Sequence, residues 1–304
     1  MGTPPFAAPA LDALVRAGHD VALVVCQPDK PKGRGRKVAK PPVKEKALEL
    51  GLEVFQPEKL RGAEAAGRIA AAKPDAMVVA AYGKILPQDI LDIPPRGCLN
   101  VHASLLPAYR GAAPINWAII NGESKTGITI MKIDAGMDTG DMLMREEAAI
   151  LPDDTAESLT GRLSEMGARL IVKALEELEA GRLIGVRQDE SLATMAPMLK
   201  KGMGRIDWAK PAAGIERLVR GFNPWPGAYT SRSGEMLKVW RTESISGDGE
   251  PGVVIKADKN GIAVATGEGV LVIKKLQPQG GRVMKAAEYL AGHKFQPGEK
   301  LGGQ

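Results

Sequence analysis

Short apolar runs alternate with amphipathic segments over the first two thirds of the chain. Continuous apolar strands separated by helices are typical of a parallel sheet that is covered on both faces. The pattern therefore predicts an α/β domain built on such a sheet. The predicted elements, in chain order, are a helix over residues 9–18, a strand over 20–27, a helix over 42–51, a strand over 52–57, a helix over 61–73, and strands over 75–83 and 97–104.

The pattern changes in the last third of the chain. Residues 127–133 and 141–150 are predicted as strands joined by a turn rich in Gly and Asp, and a long amphipathic helix follows over about 155–181. From about residue 184 the chain becomes polar and Gly-interrupted, which we interpret as a linker. Beyond a helix near 211–221, short strands with hairpin turns predict a small barrel or sandwich.

Length and composition agree with a globular protein of two domains. The chain has 304 residues, of which 44% are hydrophobic and 25% charged. No apolar run approaches the roughly 20 residues that span a bilayer, and the N-terminus lacks the pattern of a secretory signal. Two cysteines, Cys26 and Cys98, are too few for a disulfide framework or a zinc site. We expect a reduced, cytoplasmic compartment.

The positive charge of the chain is concentrated in two places. Residues 205–304 contain 15 basic and 10 acidic side chains, which accounts for the whole net charge of +5. Between residues 30 and 46 only Glu45 is acidic. This distribution suits a polyanionic partner that is contacted at two sites, although a solvated basic surface is the alternative. The basic residues of the first segment are Lys30, Lys32, Arg34, Arg36, Lys37, Lys40, Lys44 and Lys46.

Candidate chemistry follows the strand predicted over residues 97–104. Asn100 and His102 are two residues apart, so their side chains leave the same face of that strand. The Gly- and Asp-rich turn downstream could bring Asp138 toward His102. Such a set could stabilise an oxyanion and move a proton during acyl transfer. The alternative is a hydrogen-bonded pair at a strand end, with Asp138 as a turn-forming residue.

Nucleotide-binding motifs are missing from the sequence. There is no Gly-x-x-x-x-Gly-Lys-Ser/Thr phosphate loop. The segment Gly33-Arg34-Gly35-Arg36 is not a dinucleotide fingerprint, because no third glycine opens a helix after it. This argues against an oxidoreductase that uses a nicotinamide cofactor.

Several blocks in order along nearly the whole chain resemble the methionyl-tRNA formyltransferase family. Asn-x-His and the later Asp are shared with the wider family of tetrahydrofolate-dependent formyltransferases, whereas the basic segment and FNPWP resemble this branch. The blocks are the N-terminal MGTPPF, GRGRK (33–37), AYGKILP (81–87), NVHASLLPAYRGAAPI (100–115), GMDTGDML (136–143) and FNPWPGA (222–228).

The resemblance implies a transferase of protein biosynthesis. A formyl group would pass from 10-formyltetrahydrofolate to the free α-amino group of methionyl-initiator tRNA, for translation initiation, without a metal. It implies that Asn100, His102 and Asp138 are catalytic, with Asn100 and His102 donating to the oxyanion and Asp138 orienting His102. The remaining implied contacts are Ser104, Leu105, Leu106 and Pro107 for the folate and Arg34, Arg36 and Lys37 for the tRNA.

The resemblance also sets the expected organisation. It implies a formyltransferase domain with a Rossmann-like parallel sheet over residues 1–188, a linker over 189–205, and an OB-like, tRNA-binding β-barrel over 206–304. The family has a strand before the Gly2-Thr3-Pro4 turn, so we expect Met1 to be internal to a longer gene product. We expect a monomer that does not bind membranes.

Two rival functions stay open at this point. A sibling enzyme would formylate an amino sugar or a ribonucleotide with the same three residues, but the basic segment and the basic second domain favour tRNA. A non-catalytic RNA-binding protein with a degenerate enzyme fold is the second rival, and the presence of Asn100, His102 and Asp138 argues against it.

Overall fold

The computed structural model describes residues 1–32, 37–296 and 298–303. The chain divides into two compact units. The first comprises Met1–Pro114, Lys125–Ala149 and Thr160–Pro197, and the second comprises Ile115–Ser124, Ile150–Leu159 and Met198–Gln304. The last boundary between the units falls inside the predicted linker.

The helices and strands follow the predicted order, with additional short elements. Three 3₁₀ turns of the described chain lie at Pro5–Ala7, Glu190–Leu192 and Lys201–Gly204. The other elements are α1 (Ala8–Arg16), β1 (Val24–Val25), β2 (Lys30–Lys32), β3 (Lys37–Ala39), α2 (Pro42–Glu49), β4 (Val54–Phe55), α3 (Ala63–Ala71), β5 (Met77–Val79), α4 (Gln88–Leu91), β6 (Cys98–His102), β7 (Arg110–Gly111), α5 (Pro114–Asn121), β8 (Lys125–Lys132), β9 (Met142–Ala149), α6 (Ala156–Glu179), β10 (Met195–Ala196), α7 (Ala212–Gly221), β11 (Ala228–Arg232), β12 (Glu235–Ile245), β13 (Val254–Asp258), β14 (Gly261–Ala265), β15 (Val270–Pro278), β16 (Met284–Lys285) and α8 (Ala286–Gly292).

Helix ends in the first unit follow from the sequence. Gly18 and Gly51 come just after α1 and α2 and have φ values of 83° and 69°. Only glycine adopts this left-handed conformation without steric cost, so each helix ends where the sequence predicts. α2 begins at Pro42, which suits a first helical turn because the nitrogen of proline has no hydrogen to leave unsatisfied.

The sheet of the first unit is mixed rather than entirely parallel. β1 and β4 pair in parallel, and so do β5 and β6. β8 runs antiparallel to β6 and β9 antiparallel to β8, in the order β5-β6-β8-β9. The prediction of a parallel sheet is therefore wrong at β8, which runs antiparallel to β6, whereas the predicted pair of strands joined by a turn is confirmed by β8 and β9. The short loop between them allows only an antiparallel return, because a parallel connection needs a crossover of a dozen or more residues.

The N-terminal residues lie between β1 and β5. The amide of Gly2 donates to the carbonyl of Val25 at 3.0 Å, and the amide of Ala80 donates to the carbonyl of Met1 at 2.9 Å. The Met1 amino group donates to the carbonyl of Val78 at 2.6 Å, and burial lowers its pKa to about 6. A cleft of about 450 Å³ adjoins these residues, and its apolar lining includes Leu14, Ile69 and Leu178. The strand expected before Gly2 stays a prediction.

The second unit is built on an antiparallel sheet. Its strand order is β11-β12-β15-β14-β13, and β16 pairs with β15. One hydrophobic cluster fills this unit and includes Ile215 of α7, Leu271 and Ile273 of β15, and Tyr289 of α8. Trp208 is buried in the same cluster, and its indole nitrogen donates to the Thr230 hydroxyl at 3.0 Å. The indole therefore satisfies its polar group without leaving the core.

The predicted closed barrel is not found in the described part of this unit, where the sheet is open. Instead of pairing with each other, β11 and the chain around β13 both contact the C-terminal segment. The amide of Leu301 donates to the carbonyl of Gly252 at 2.8 Å, and the amide of Gly302 donates to the carbonyl of Ser231 at 2.9 Å. The C-terminal segment thus covers backbone groups that a closed barrel would pair directly.

Candidate active site

The predicted site begins on β6, which lies between β5 and β8 in the sheet. His102 ends this strand and is buried, with 5% of its surface exposed, whereas Asn100 is half-buried. Both side chains belong to the same face, as their spacing predicts. A central strand with partners on both sides holds its side chains more rigidly than a loop does. β6 is therefore a suitable support for reactive groups.

Asp138 lies on the loop between β8 and β9 and completes a cluster of three side chains. Its Oδ1 accepts a long hydrogen bond from Asn100 Nδ2 at 3.5 Å, and its Oδ2 is 3.7 Å from His102 Nδ1. Oδ2 also accepts from the amide of Gly111 at 2.9 Å. The structure therefore brings together an amide, an imidazole and a carboxylate that are far apart in the sequence.

The backbone around His102 determines which ring nitrogen carries a hydrogen. His102 Nε2 lies 3.0 Å from the carbonyl oxygen of Tyr109, which can only accept. Nε2 must therefore be protonated, and Nδ1 is the nitrogen that faces Asp138. Any proton that His102 gains or gives during a reaction is consequently carried on Nδ1.

The residues expected to contact folate form a turn after β6. The Ser104 hydroxyl donates to the carbonyl of Ala108 at 2.6 Å and closes this turn. Ser104 and Leu106 are fully buried and present no surface to a ligand, whereas Leu105 and Pro107 are half-buried. The turn is well ordered by hydrogen bonds, and Leu105 and Pro107 are its accessible apolar side chains.

Thr129 of β8 supports this turn and was not predicted from the sequence. Its hydroxyl donates to the carbonyl of Ser104 at 2.7 Å and accepts from the amide of Leu106 at 3.1 Å. Thr129 is fully buried. A threonine in an apolar strand gives no signal of this role, because the same residue type is common on strands for packing reasons.

The residues expected to contact tRNA fall at the edge of the described chain. Arg34 and Arg36 lie outside the described residues, and Lys37 is described only as the first residue of β3. β2 and β3 pair antiparallel on either side of this segment. At the base of the hairpin, the ammonium group of Lys44 donates to Asp29 at 2.8 Å and to Gln56 at 2.6 Å.

Arg110 and Gln188 are further site residues that sequence reasoning missed. Both are buried, with 5% and 4% of their surfaces exposed. They contact each other, and Gln188 also contacts the loop that carries Asp138. Gln188 lies in a polar stretch that resembles a linker. The sequence therefore offers no signal that would separate it from exposed polar residues.

No helix in the described ranges is long and apolar enough to cross a bilayer. Across the same ranges, no group of three or more His, Cys, Asp or Glu side chains is arranged to hold a metal ion.

A comparison with protein families identifies the class of protein to which this fold belongs. The family model described as formyl transferase matches residues 1–175, and the model described as formyl transferase, C-terminal domain, matches residues 198–294. The chain belongs to the formyl transferase family.

The names of individual relatives are more specific than the descriptions of the family models. A protein of Geobacter metallireducens named methionyl-tRNA formyltransferase is 51% identical over 302 residues, which cover 99% of this chain and 97% of the relative. A protein of the same name from Acetivibrio thermocellus is 52% identical over 305 residues, which cover 99% of this chain and 98% of the relative. The similarity therefore extends across both units rather than through the first alone.

Solved structures share the fold at lower identity. The sugar 3N-formyl transferase WlaRD has a TM-score of 0.67 and 17% identity, over 91% of this chain and 95% of that chain. HypX from Aquifex aeolicus, solved in complex with tetrahydrofolic acid, has a TM-score of 0.59 and 21% identity, over 80% of this chain and 43% of that chain. These similarities concern the fold.

Proposed function

We propose that this chain transfers a formyl group from 10-formyltetrahydrofolate to the α-amino group of methionyl-initiator tRNA, the reaction that starts bacterial-type translation. The observation that supports this most strongly is the identity of about half of all residues, over nearly the whole chain, with proteins named methionyl-tRNA formyltransferase. The Asn100, His102 and Asp138 cluster supplies the groups that the chemistry requires.

The difficulty of the reaction lies in the formamide carbonyl, which is a poor electrophile. When the amine attacks the formyl carbon, a C–N bond forms and the carbonyl oxygen becomes an oxyanion. Asn100 Nδ2 and a protonated His102 Nδ1 can donate hydrogen bonds to that oxygen. These interactions strengthen as the charge develops, which is the condition for lowering a barrier.

Asp138 then has two roles in the proposed mechanism. Its carboxylate, 3.7 Å from His102 Nδ1, orients the imidazole ring. It also accepts the proton that the attacking nitrogen loses. When the oxyanion re-forms the carbonyl and the bond from the formyl carbon to N10 of the folate breaks, this proton passes to N10. N10 therefore leaves as a neutral amine, and the product is an N-formyl amide.

The turn after β6 is the proposed folate contact. Leu105 and Pro107 offer apolar side chains to the flat pteridine ring, whereas Ser104 and Leu106 shape the backbone between them. The hydroxyl of Thr129 holds that backbone through hydrogen bonds at both residues. A preorganised turn of this kind reduces the entropy that is lost when a ligand binds.

The positive segments are the proposed tRNA contacts. A Gly-containing segment that can approach phosphates closely carries Arg34, Arg36 and Lys37. The guanidinium groups of arginine bind phosphate through paired hydrogen bonds. The second unit, with five more basic than acidic residues over 205–304, would bind the tRNA at another point. An OB-like architecture for this unit remains part of the proposal and is supported by its antiparallel strand order.

The deciding experiment incubates purified protein with formyl-labelled folate and methionyl-tRNA. We expect label to enter initiator tRNA, with elongator methionyl-tRNA as the comparison and a dTDP-amino sugar as the alternative acceptor. Transfer to the sugar alone would replace this proposal with sugar formylation. Binding of tRNA without any transfer of label would support the non-catalytic rival.

Two further properties belong to the same proposal. We place the enzyme in the cytoplasm, where its proposed tRNA substrate is made and used. We also propose that it acts as a monomer, since the Asn100, His102 and Asp138 cluster is assembled within a single unit of one chain. Light scattering of the purified protein tests the second point, and a dimer mass at assay concentrations would contradict it.

A further inference from the structure

A buried amide bridges the loop that carries Asp138. The Nε2 group of Gln188 donates to the carbonyl of Asp138 at 2.8 Å and to the carbonyl of Gly140 at 2.7 Å. Both hydrogens of one side-chain amide are therefore used on carbonyls of the same loop. Because Gln188 is only 4% exposed, water does not compete readily for these bonds.

Arg110 holds the other end of this amide. Gln188 Oε1 accepts from Arg110 Nε at 3.0 Å and from Arg110 Nη2 at 2.8 Å. A guanidinium can only donate and a backbone carbonyl can only accept, so the orientation of the amide is fixed at both ends. Arg110 is anchored in turn by Glu190, whose two carboxylate oxygens each accept at 2.8 Å. This contact lowers the pKa of the Glu190 carboxyl.

The backbone conformation of the loop that carries Asp138 is unfavourable and has to be stabilised by its surroundings. Asp138 has a φ of 54°, in the left-handed region that costs a residue with a Cβ atom about 1 kcal/mol or more. Its carboxylate is held by the amide of Gly111, which directly follows Arg110 in the sequence. Arg110 and its neighbour thus act on both parts of Asp138, through Gln188 on the backbone and through Gly111 on the side chain.

The segment that supplies Gln188 is itself fixed to the first unit. The carbonyl of Thr194 accepts from the amide of Arg110 at 2.8 Å, and the carbonyl of Ala196 accepts from the amide of Ala112 at 2.9 Å. These bonds belong to the parallel pairing of β10 with β7. The stretch after residue 188 therefore positions part of the site in addition to leading into the second unit.

We propose that Gln188, oriented by Arg110, is a positioning residue that keeps the Asp138 carboxylate between Asn100 and His102. This inference rests on the proposed function for its kinetic test, and it also has a test without substrate. Neither residue touches the reacting atoms in this proposal. Both act through Asp138.

The kinetic test uses Gln188→Leu, which keeps the size of the side chain and removes its hydrogen bonds. We expect kcat to fall about 10- to 100-fold, the usual consequence of misplacing a catalytic group by roughly 1 Å, with the KM for each substrate within about threefold of wild type. Gln277→Leu is the matched control, because it removes a side-chain amide of the second unit that donates to the carbonyl of Gly281 at 2.8 Å and accepts from Trp240 Nε1 at 3.2 Å. Its kcat should equal that of wild type.

A double-mutant cycle separates positioning from general destabilisation. If Gln188 acts only through Asp138, adding Gln188→Leu to Asp138→Asn should reduce kcat by less than about twofold further. Losses that multiply in the double variant would overturn the proposal. A kcat within twofold of wild type in folded Gln188→Leu would also overturn it.

Two measurements cover the cases in which the first variant or the proposed function fails. If Gln188→Leu does not fold, Arg110→Lys keeps the charge but loses the paired geometry, and a kcat unchanged from wild type would contradict the proposal. Hydrogen exchange at the Gly111 amide needs no substrate. We expect faster exchange in Gln188→Leu than in Gln277→Leu, and equal exchange rates would reject the positioning role whatever reaction the enzyme performs.

Discussion

Asp138→Asn is the substitution that tests the proposed site most directly. The asparagine keeps the size of the side chain, and its carbonyl oxygen can still accept from the amide of Gly111, which in the native protein binds Asp138 Oδ2 at 2.9 Å. Its NH₂ group would then face Asn100 Nδ2, which lies 3.5 Å from Asp138 Oδ1. Two donors would oppose each other there, and the negative charge beside His102 would be gone.

The size of the effect follows from the distance to His102. A carboxylate and an imidazolium 3.7 Å apart attract by about 4 kcal/mol at an effective dielectric constant of about 20. Asp138 is 19% exposed, so solvent screening makes this value an upper bound. Since about 1.4 kcal/mol corresponds to a factor of ten in rate, we expect kcat to fall about 100-fold, and further because proton acceptance is lost.

The assay is single-turnover transfer of labelled formyl from folate to methionyl-tRNA, with thermal unfolding measured on the same preparation. Asp134→Asn is the matched control in the same loop. Asp134 Oδ1 accepts from the amide of Gly136 at 3.0 Å and from the Thr139 hydroxyl at 2.7 Å, and an asparagine can accept both. We expect that control to stay within about threefold of wild type. A folded Asp138→Asn enzyme within about fivefold of wild type would refute the catalytic role and favour a turn-forming one.

Three further outcomes are expected from the same site, the basic segment and the N-terminus. Asn100→Ala should lower kcat about 10²- to 10³-fold with tRNA affinity unchanged, as for other oxyanion donors, and near-normal turnover of the folded variant would remove that role. Neutralising Arg34 and Arg36 should raise the KM for tRNA and flatten the slope of log affinity against log salt by about one unit per lost phosphate contact, whereas an unchanged slope would indicate a solvated charge run. In a polypeptide that begins at Met1, folding lowers the pKa of the α-amino group from its ordinary value of 8.0 to about 6, so the unfolded chain binds more protons between these two pH values. The free energy of unfolding should therefore rise by roughly 2 kcal/mol from pH 6 to pH 8 and be lost again on acidification. Urea titrations check this effect against an Nα-acetylated chain, and an identical pH dependence in both would contradict it.

Much of the framework could be predicted because it depends on local patterns. Helices α1 and α2 end just before Gly18 and Gly51, and β6 lies within the apolar run that was predicted as a strand. The spacing of Asn100 and His102 placed both on one face of that strand. Strand direction is a different matter, because period-two alternation is the same in parallel and antiparallel sheets. The antiparallel course of β8 relative to β6 therefore could not be deduced from periodicity.

Long-range contacts explain the remaining differences. The carbonyl of Tyr109 decides the protonated nitrogen of His102, yet a carbonyl is present at every residue and carries no sequence signal. Gln188 meets Asp138 across a separation of 50 residues, from a stretch whose composition is that of a linker. The open sheet of the second unit depends on where Leu301 and Gly302 bind, which hydrophobic patterning does not specify.

The amino-acid sequence by itself determined which segments become helices and strands, which face of β6 carries polar groups, and which family the chain resembles. These properties follow from backbone geometry and side-chain polarity over a few neighbouring residues. Only the tertiary structure decided that Asp138 lies within 4 Å of Asn100 and His102, and that Arg110 and Gln188 hold it there. Hydrogen bonds between distant residues exist only after the chain has packed, because their partners are selected by position in space and not by neighbouring sequence.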